Sequence, residues 1–178
     1  VGLNAFTSAS KSKPSDASTY DNITRKTALT VIAALNARAK LPEFMGGAPT
    51  PMAFMSAAEA GWPEVALGDK VEEVSPDWLK RYLVAKRAVE AELGRSTDKI
   101  RPVIIRPSLI WNWAKLDVLP VIPVFNIANA LGIPFVDKTV RVEDVGRSIV
   151  AGLLDDTVSG VQRYDKIEAL SASLPIAK

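Results

Sequence analysis

Apolar residues fall into short dense runs separated by polar or Pro/Gly-rich stretches, and the spacing inside the runs changes along the chain. Residues 1–6 form a short apolar run that predicts the end of a buried strand. Residues 7–18 are rich in Ser, Lys and Pro and predict a loop. Over residues 20–39, Ile23, Leu29, Val31, Ile32 and Leu35 recur at helical spacing, with Ser18 placed to cap the helix. Pro42, Gly46, Gly47 and Pro49 make residues 40–50 a turn. Residues 51–56 (PMAFMS) predict a buried strand and residues 57–74 a loop. Ser75-Pro76-Asp77 joins a capping serine, a proline at the first helical position and an acid at the positive helix end. It predicts a helix running to about Leu93 and stopped at Gly94. The unbroken run RPVII (101–105) predicts a strand covered on both faces. Residues 139–142 predict a fourth short strand. Residues 143–154 predict a helix with Val145, Ile149 and Leu153 on one face. Val161 begins a last extended piece, and residues 164–172 predict a short terminal helix.

Strands alternating with helices argue for a parallel sheet with helices on its faces. No repeat divides the chain, so residues 1–178 are read as one unit. One stretch departs from the alternation. Residues 118–136 carry no charge until Asp137, close to the length of a membrane-spanning helix. Pro120, Pro123 and Pro134 would leave backbone groups unsatisfied in lipid. The stretch is therefore read as a buried or interfacial loop-helix element, packed on the core or resting against a membrane or partner.

Composition narrows the chemistry. The chain has 178 residues, 48% hydrophobic and 24% charged, which is enough for one sizeable core. A net charge of +2 without a Lys/Arg run gives nucleic-acid binding little support. With no cysteine and no histidine, disulfides, Cys/His metal sites and Ser-His or Cys-His catalysis are excluded. Proton chemistry must use Tyr, Lys, Ser, Asp or Glu. Glu59, Glu64, Asp69, Glu72, Glu73 and Asp77 surround Trp62 without a metal-ligand or glycosidase spacing, so they read as a solvated loop. Arg87, Glu90 and Glu92 read as the solvent face of the 75–93 helix. Trp111 and Trp113 either line an apolar pocket or cover the core.

Tyr82-Leu-Val-Ala-Lys86 lies inside that helix, and positions i and i+4 share a face. A cation within ~4–6 Å of a tyrosine hydroxyl lowers its pKa from ~10 by about 1–3 units. Tyr82 then suits proton transfer to or from an alcohol or carbonyl oxygen. The preceding strand ends at Ser56, and ligands of parallel sheets bind beyond the carboxyl ends of the strands. Ser56 is thus on the correct edge to donate to the same oxygen. The strand ending at Arg106-Pro107-Ser108 reaches that edge too.

Ser56, Tyr82 and Lys86 resemble the serine, tyrosine and lysine of the short-chain dehydrogenase/reductase superfamily, with the wide Ser-to-Tyr spacing of its extended and atypical branches. Asn22 matches the helix asparagine that supports the lysine in many members. FMSAAEAGWP (54–63), RYLVAKRAVEAEL (81–93), RPVIIRPSLIW (101–111) and VRVEDVGRSIVAGLLDD (140–156) are similar to atypical mitochondrial and plastid dehydrogenase-like proteins linked to quinone metabolism. The Rossmann-fold accessory subunits of respiratory complex I are more distant. The resemblance implies an α/β fold, the C-terminal portion of a doubly wound parallel-sheet Rossmann domain, and binding of NAD or NADP. It places Tyr82 and Lys86 on the nicotinamide ribose, and Pro107, Ser108, Leu109 and Ile110 against the nicotinamide. Many members have Pro-Gly where this chain has Pro107-Ser108. The family's Gly-x-x-Gly-x-x-Gly pyrophosphate turn is absent, and Val1 falls at the family's fourth strand. The N-terminal glycine-loop half is therefore expected outside this chain.

Two functions follow from the resemblance. One is an NAD(P)-dependent oxidoreductase of a carbonyl, alcohol or quinone-related lipid, in a mitochondrion (matrix side of the inner membrane) or a plastid. The other is a non-catalytic accessory subunit of a membrane-bound complex, docked through residues 118–136.

Overall fold

The strand at the centre of the fold is the one whose sequence is apolar on both alternating faces. In a computed structural model, which describes residues 19, 21–38, 47–112, 121–134 and 136–174, this strand, β2 (Ile100–Ile105), is buried at every position. It pairs in parallel with β1 (Thr50–Met55) on one side and β5 (Gly160–Gln162) on the other. Side chains of a strand alternate between faces. Ile100 and Ile104 pack with Phe54 of β1, with Ile32 of α1 (Thr27–Ala37), and with Val89 and Leu93 of α3 (Asp77–Arg95). Val103 and Ile105 face the other way, onto Val145 of α5 (Val142–Leu154) and Ile167 of α6 (Tyr164–Ser173). Two helical layers thus enclose one parallel sheet, as the alternation predicts.

Two apparent violations inside β2 have local reasons. Ser56 N–H donates to the Ile105 carbonyl and Arg106 N–H to the Gln162 carbonyl, so odd β2 residues bond toward β1 and even ones toward β5. Pro102, with no N–H to give, therefore faces the β5 side, where pairing begins only at Val103. Arg101 is buried, but its guanidinium donates to the carbonyls of Gly152 (2.9 Å), Leu153 (2.8 Å) and Val158 (2.6 Å). It caps the C-terminal end of α5, where carbonyls lack helical partners.

The structure amends several sequence expectations. The 139–142 strand is β4 (Val140–Arg141) and stays out of the main sheet. It pairs with β3 (Ile110–Trp111), which no pattern announced. The 57–74 region is not a plain loop: it holds a 3-10 helix (Ala58–Glu64) and α2 (Gly68–Glu73). Ser75 does not cap α3, because its hydroxyl donates back to the Val71 carbonyl in α2. Gly94 does not end α3, which runs to Arg95. The first helix starts as a π-helical turn (Asp21–Lys26) continued by α1, with Thr19 Oγ1 accepting the Asn22 N–H at 3.2 Å. Within the uncharged stretch lies α4 (Val121–Ala130), none of whose residues is buried. Among the described residues, no helix is long and apolar enough to cross a membrane. The strand expected over residues 1–6, the Ser18 cap and Trp113 lie outside the described residues.

Candidate functional site

β1 ends at Met55, and the chain leaves the sheet at its carboxyl edge through Ser56. There Ser56 N–H donates to Ile105 O (2.7 Å) and Ala58 N–H to Pro107 O (2.9 Å). These bonds extend the β1–β2 pairing beyond the strands and hold the Ser56 and Pro107 segments side by side. The Ser56 side chain is buried, and its hydroxyl is without a hydrogen-bond partner among the described residues. Leaving a buried hydroxyl unpaired costs about 1–3 kcal/mol, which is why such groups concentrate where a ligand supplies the partner.

α3 delivers the other two residues to the same edge. Its inner face buries Leu83, Ala85, Val89 and Leu93, and this rotation brings Lys86 to β1 and Tyr82 against the 3-10 helix. Tyr82 is half-buried and packs with Ala60, Trp62, Leu83 and Ala85. The Lys86 side chain is buried. Its ammonium donates to the Met55 carbonyl, immediately before Ser56, and lies 5.0 Å from the Phe54 ring centre and 5.3 Å from that of Tyr82. Burial pulls the Lys86 pKa down to about 8 against the opposing charge of Glu90. The structure thus gathers Lys86 and Tyr82 beside the strand end that carries Ser56. Asn22 lies in the π-helical turn that packs on α3, and its carbonyl accepts the Thr27 hydroxyl at 3.1 Å.

The segment expected against a nicotinamide links two sheets. Pro107 is buried. The Ser108 hydroxyl donates to Asp137 O (3.0 Å), Leu109 O accepts the Val140 N–H (3.0 Å), and Ile110 enters β3. Asp137 in turn holds Arg163 at 2.7 Å.

Several groups around this edge escaped sequence reasoning. Glu90 is not on the solvent face of α3. Arg106, buried at the end of β2, donates to both its oxygens (Nε–Oε1 3.0 Å, Nη2–Oε2 2.6 Å) and to both oxygens of Glu64 (2.9 Å each). Burial works against the Arg106 charge, but the two carboxylates outweigh it and hold the guanidinium firmly protonated. Arg87, also read as solvent-facing, donates to Ala60 O at 2.9 Å and pairs with Glu72, whose carboxyl it holds below the usual range. The acidic zone is therefore partly an ion-pair network rather than a solvated loop. Half-buried Glu59 has its carboxyl pushed up by burial, with the Asp137 charge adding to the rise. A signal did exist: Tyr82, Lys86 and Glu90 are spaced four apart and share one face.

No family model matches the sequence, and no curated protein matches it. Among solved structures, the chain is similar to a candidate NAD-dependent epimerase/dehydratase from Bacillus halodurans, at 16% identity and a TM-score of 0.50, over 92% of this chain. The match spans 66% of the length of that protein. Two helical layers around a parallel sheet, and this likeness, give one conclusion: the chain has a Rossmann-like α/β fold.

Proposed function

We propose that this chain carries the catalytic edge of an NAD(P)-dependent oxidoreductase of the short-chain dehydrogenase/reductase type. One observation carries the reading: a buried ammonium, Lys86, lies against Tyr82 and bonds the residue before Ser56, whose buried hydroxyl has no partner among the described residues. The Bacillus halodurans protein is named as NAD-dependent, which supports a nicotinamide dinucleotide as the ligand class. Such a cofactor, when bound, exchanges hydride with the substrate carbon. In this reading Ser56 donates to the substrate oxygen and Tyr82 gives or takes its proton. Lys86 holds a ribose hydroxyl and lends positive charge to the Tyr82 phenol, and Asn22 supports Lys86. Pro107, Ser108, Leu109 and Ile110 form the wall on which the nicotinamide rests. The substrate is an alcohol or carbonyl, with a quinone-related lipid of an energy-converting organelle as the narrower choice from the sequence resemblance.

The test is turnover by the full-length protein with NADH or NADPH on a panel of ketones and quinones. Tyr82→Phe is expected to lower turnover by about 10²–10⁴-fold. Equal turnover in the variant contradicts the assignment.

A second reading, a non-catalytic subunit docked on a membrane complex, is favoured by α4 and the residue after it. Val124, Ile127 and Leu131 are 63%, 60% and 76% exposed in an element without charge. Dinucleotide binding without turnover, together with co-purification in a large assembly, supports this reading over the first.

A further inference from the structure

Lys86 is enclosed by few charged groups. From β1 it meets the Phe54 ring and the Met55 carbonyl. From its own helix it faces the Tyr82 ring and, one turn on, the charge of Glu90. Arg87, its neighbour on α3, is turned away onto Ala60 and Glu72. Among the described residues, Glu90 is thus the carboxylate whose charge acts on Lys86, yet both its oxygens are already taken by Arg106. The Arg106 side chain is 6% exposed and that of Glu90 9%. The other edge of the same guanidinium grips Glu64 at the end of the 3-10 helix that follows Ser56. The fit is close: a Cβ at Gly61 would stand 2.8 Å from Arg106 Nη1.

We propose that Arg106 and Glu90 are positioning residues of the site: by engaging both Glu90 oxygens, Arg106 governs how much of that charge Lys86 feels, and through Glu64 it fixes the turn after Ser56 against α3. Neither residue touches the reacting atoms. The consequence for dinucleotide binding rests on the reading of Lys86 given above. The charge coupling does not, because it exists in the free protein. Its sign follows from Coulomb's law. Removing the Glu90 charge takes away the carboxylate that favours the ammonium and leaves the Arg106 cation balanced by Glu64 alone, which disfavours the ammonium. Removing Arg106 releases the Glu90 carboxylate to Lys86 and favours it. Lysine in place of Arg106 keeps the charge but cannot bond two carboxylates in a planar fork, so its effect lies between the parent and the neutral variant.

The test is a carbon-13 NMR titration of the lysine ε-methylenes in the full-length protein without dinucleotide, with the Lys86 signal assigned by its loss in Lys86→Met. Glu90→Gln is expected to lower the Lys86 midpoint by about one unit, and Arg106→Met to raise it by a similar amount. Arg106→Met leaves buried carboxylates unpaired, so circular dichroism is recorded alongside. If that variant does not fold, Glu90→Gln and Arg106→Lys decide the question, since Glu90→Gln leaves Arg106 paired with Glu64. A Lys86 midpoint that is unchanged or raised in folded Glu90→Gln overturns the proposal. Opposite shifts in a protein that then binds neither NADH nor NADPH leave the coupling standing and remove the dinucleotide reading alone.

Discussion

Lys86 is held as an ammonium in a place that disfavours charge, and this fixes its effect on stability. Its pKa is near 10.5 in the unfolded chain and about 8 in the fold. Between those values the unfolded chain keeps a proton that the folded one has lost, so stability rises with pH across this window. Below about pH 8 both states are charged and the full penalty is present, about 3 kcal/mol by the size of the shift. Lys86→Met is therefore expected to stabilise the protein by about 1–3 kcal/mol at pH 7. That gain should fade toward pH 10.5; paired denaturant curves at the two pH values check it, and a gain independent of pH contradicts it. Ser56→Ala removes the unpartnered hydroxyl, so its melting temperature is expected to equal or exceed the parent's while turnover falls. The i, i+4 spacing made Tyr82 and Lys86 legible in sequence. The partners of Glu90 were not, because the face of a helix that is solvated depends on what the rest of the chain lays across it. Here that is Arg106, 16 residues further on.

At the scale of elements, the strand β2 was readable because both its faces are apolar, and the edges of α3 were not. A serine before Pro-Asp has the chemistry of a cap, but α2 ends close enough for the Val71 carbonyl to take the Ser75 hydroxyl. The short α2 was itself hidden, since its start depends on a contact rather than a pattern. Leu67 adopts a left-handed conformation (φ 64°), and Gly68 lies so close to Trp62 that a Cβ would meet the Trp62 carbonyl oxygen at 1.9 Å. Gly68→Ala must displace backbone and is expected to destabilise by about 1–3 kcal/mol, with the midpoint of urea unfolding as the readout. An unchanged midpoint would contradict the packing of the 3-10 helix against α2. β3, two residues long, was illegible because a ladder that short leaves no periodicity to count.

For the whole molecule, alternation of strands and helices was sufficient to foresee a parallel sheet enclosed by helices, and the end of β1 located the edge that Lys86 bonds beside Ser56. What alternation did not reveal is the detachment of β4 from the main sheet, or the exposure of α4. Val124, Ile127 and Leu131 make few demands on the fold, so a triple serine variant is expected to keep its stability within about 0.5 kcal/mol per site. Under the docking reading, sedimentation of cell extracts should show less of the variant than of the parent in a membrane or large-assembly fraction; equal sedimentation of the two would remove the docking role of this stripe. In the proposed function, the Ser56, Tyr82 and Lys86 edge takes a nicotinamide dinucleotide. Calorimetric titration of NADH and NADPH into the full-length protein and its Lys86→Met variant tests it most directly. The expected result is saturable binding of at least one dinucleotide at pH 7, weakened about tenfold or more in the variant, the size of one lost charge-assisted hydrogen bond. No saturable binding of either, or equal affinity in the variant, would contradict it.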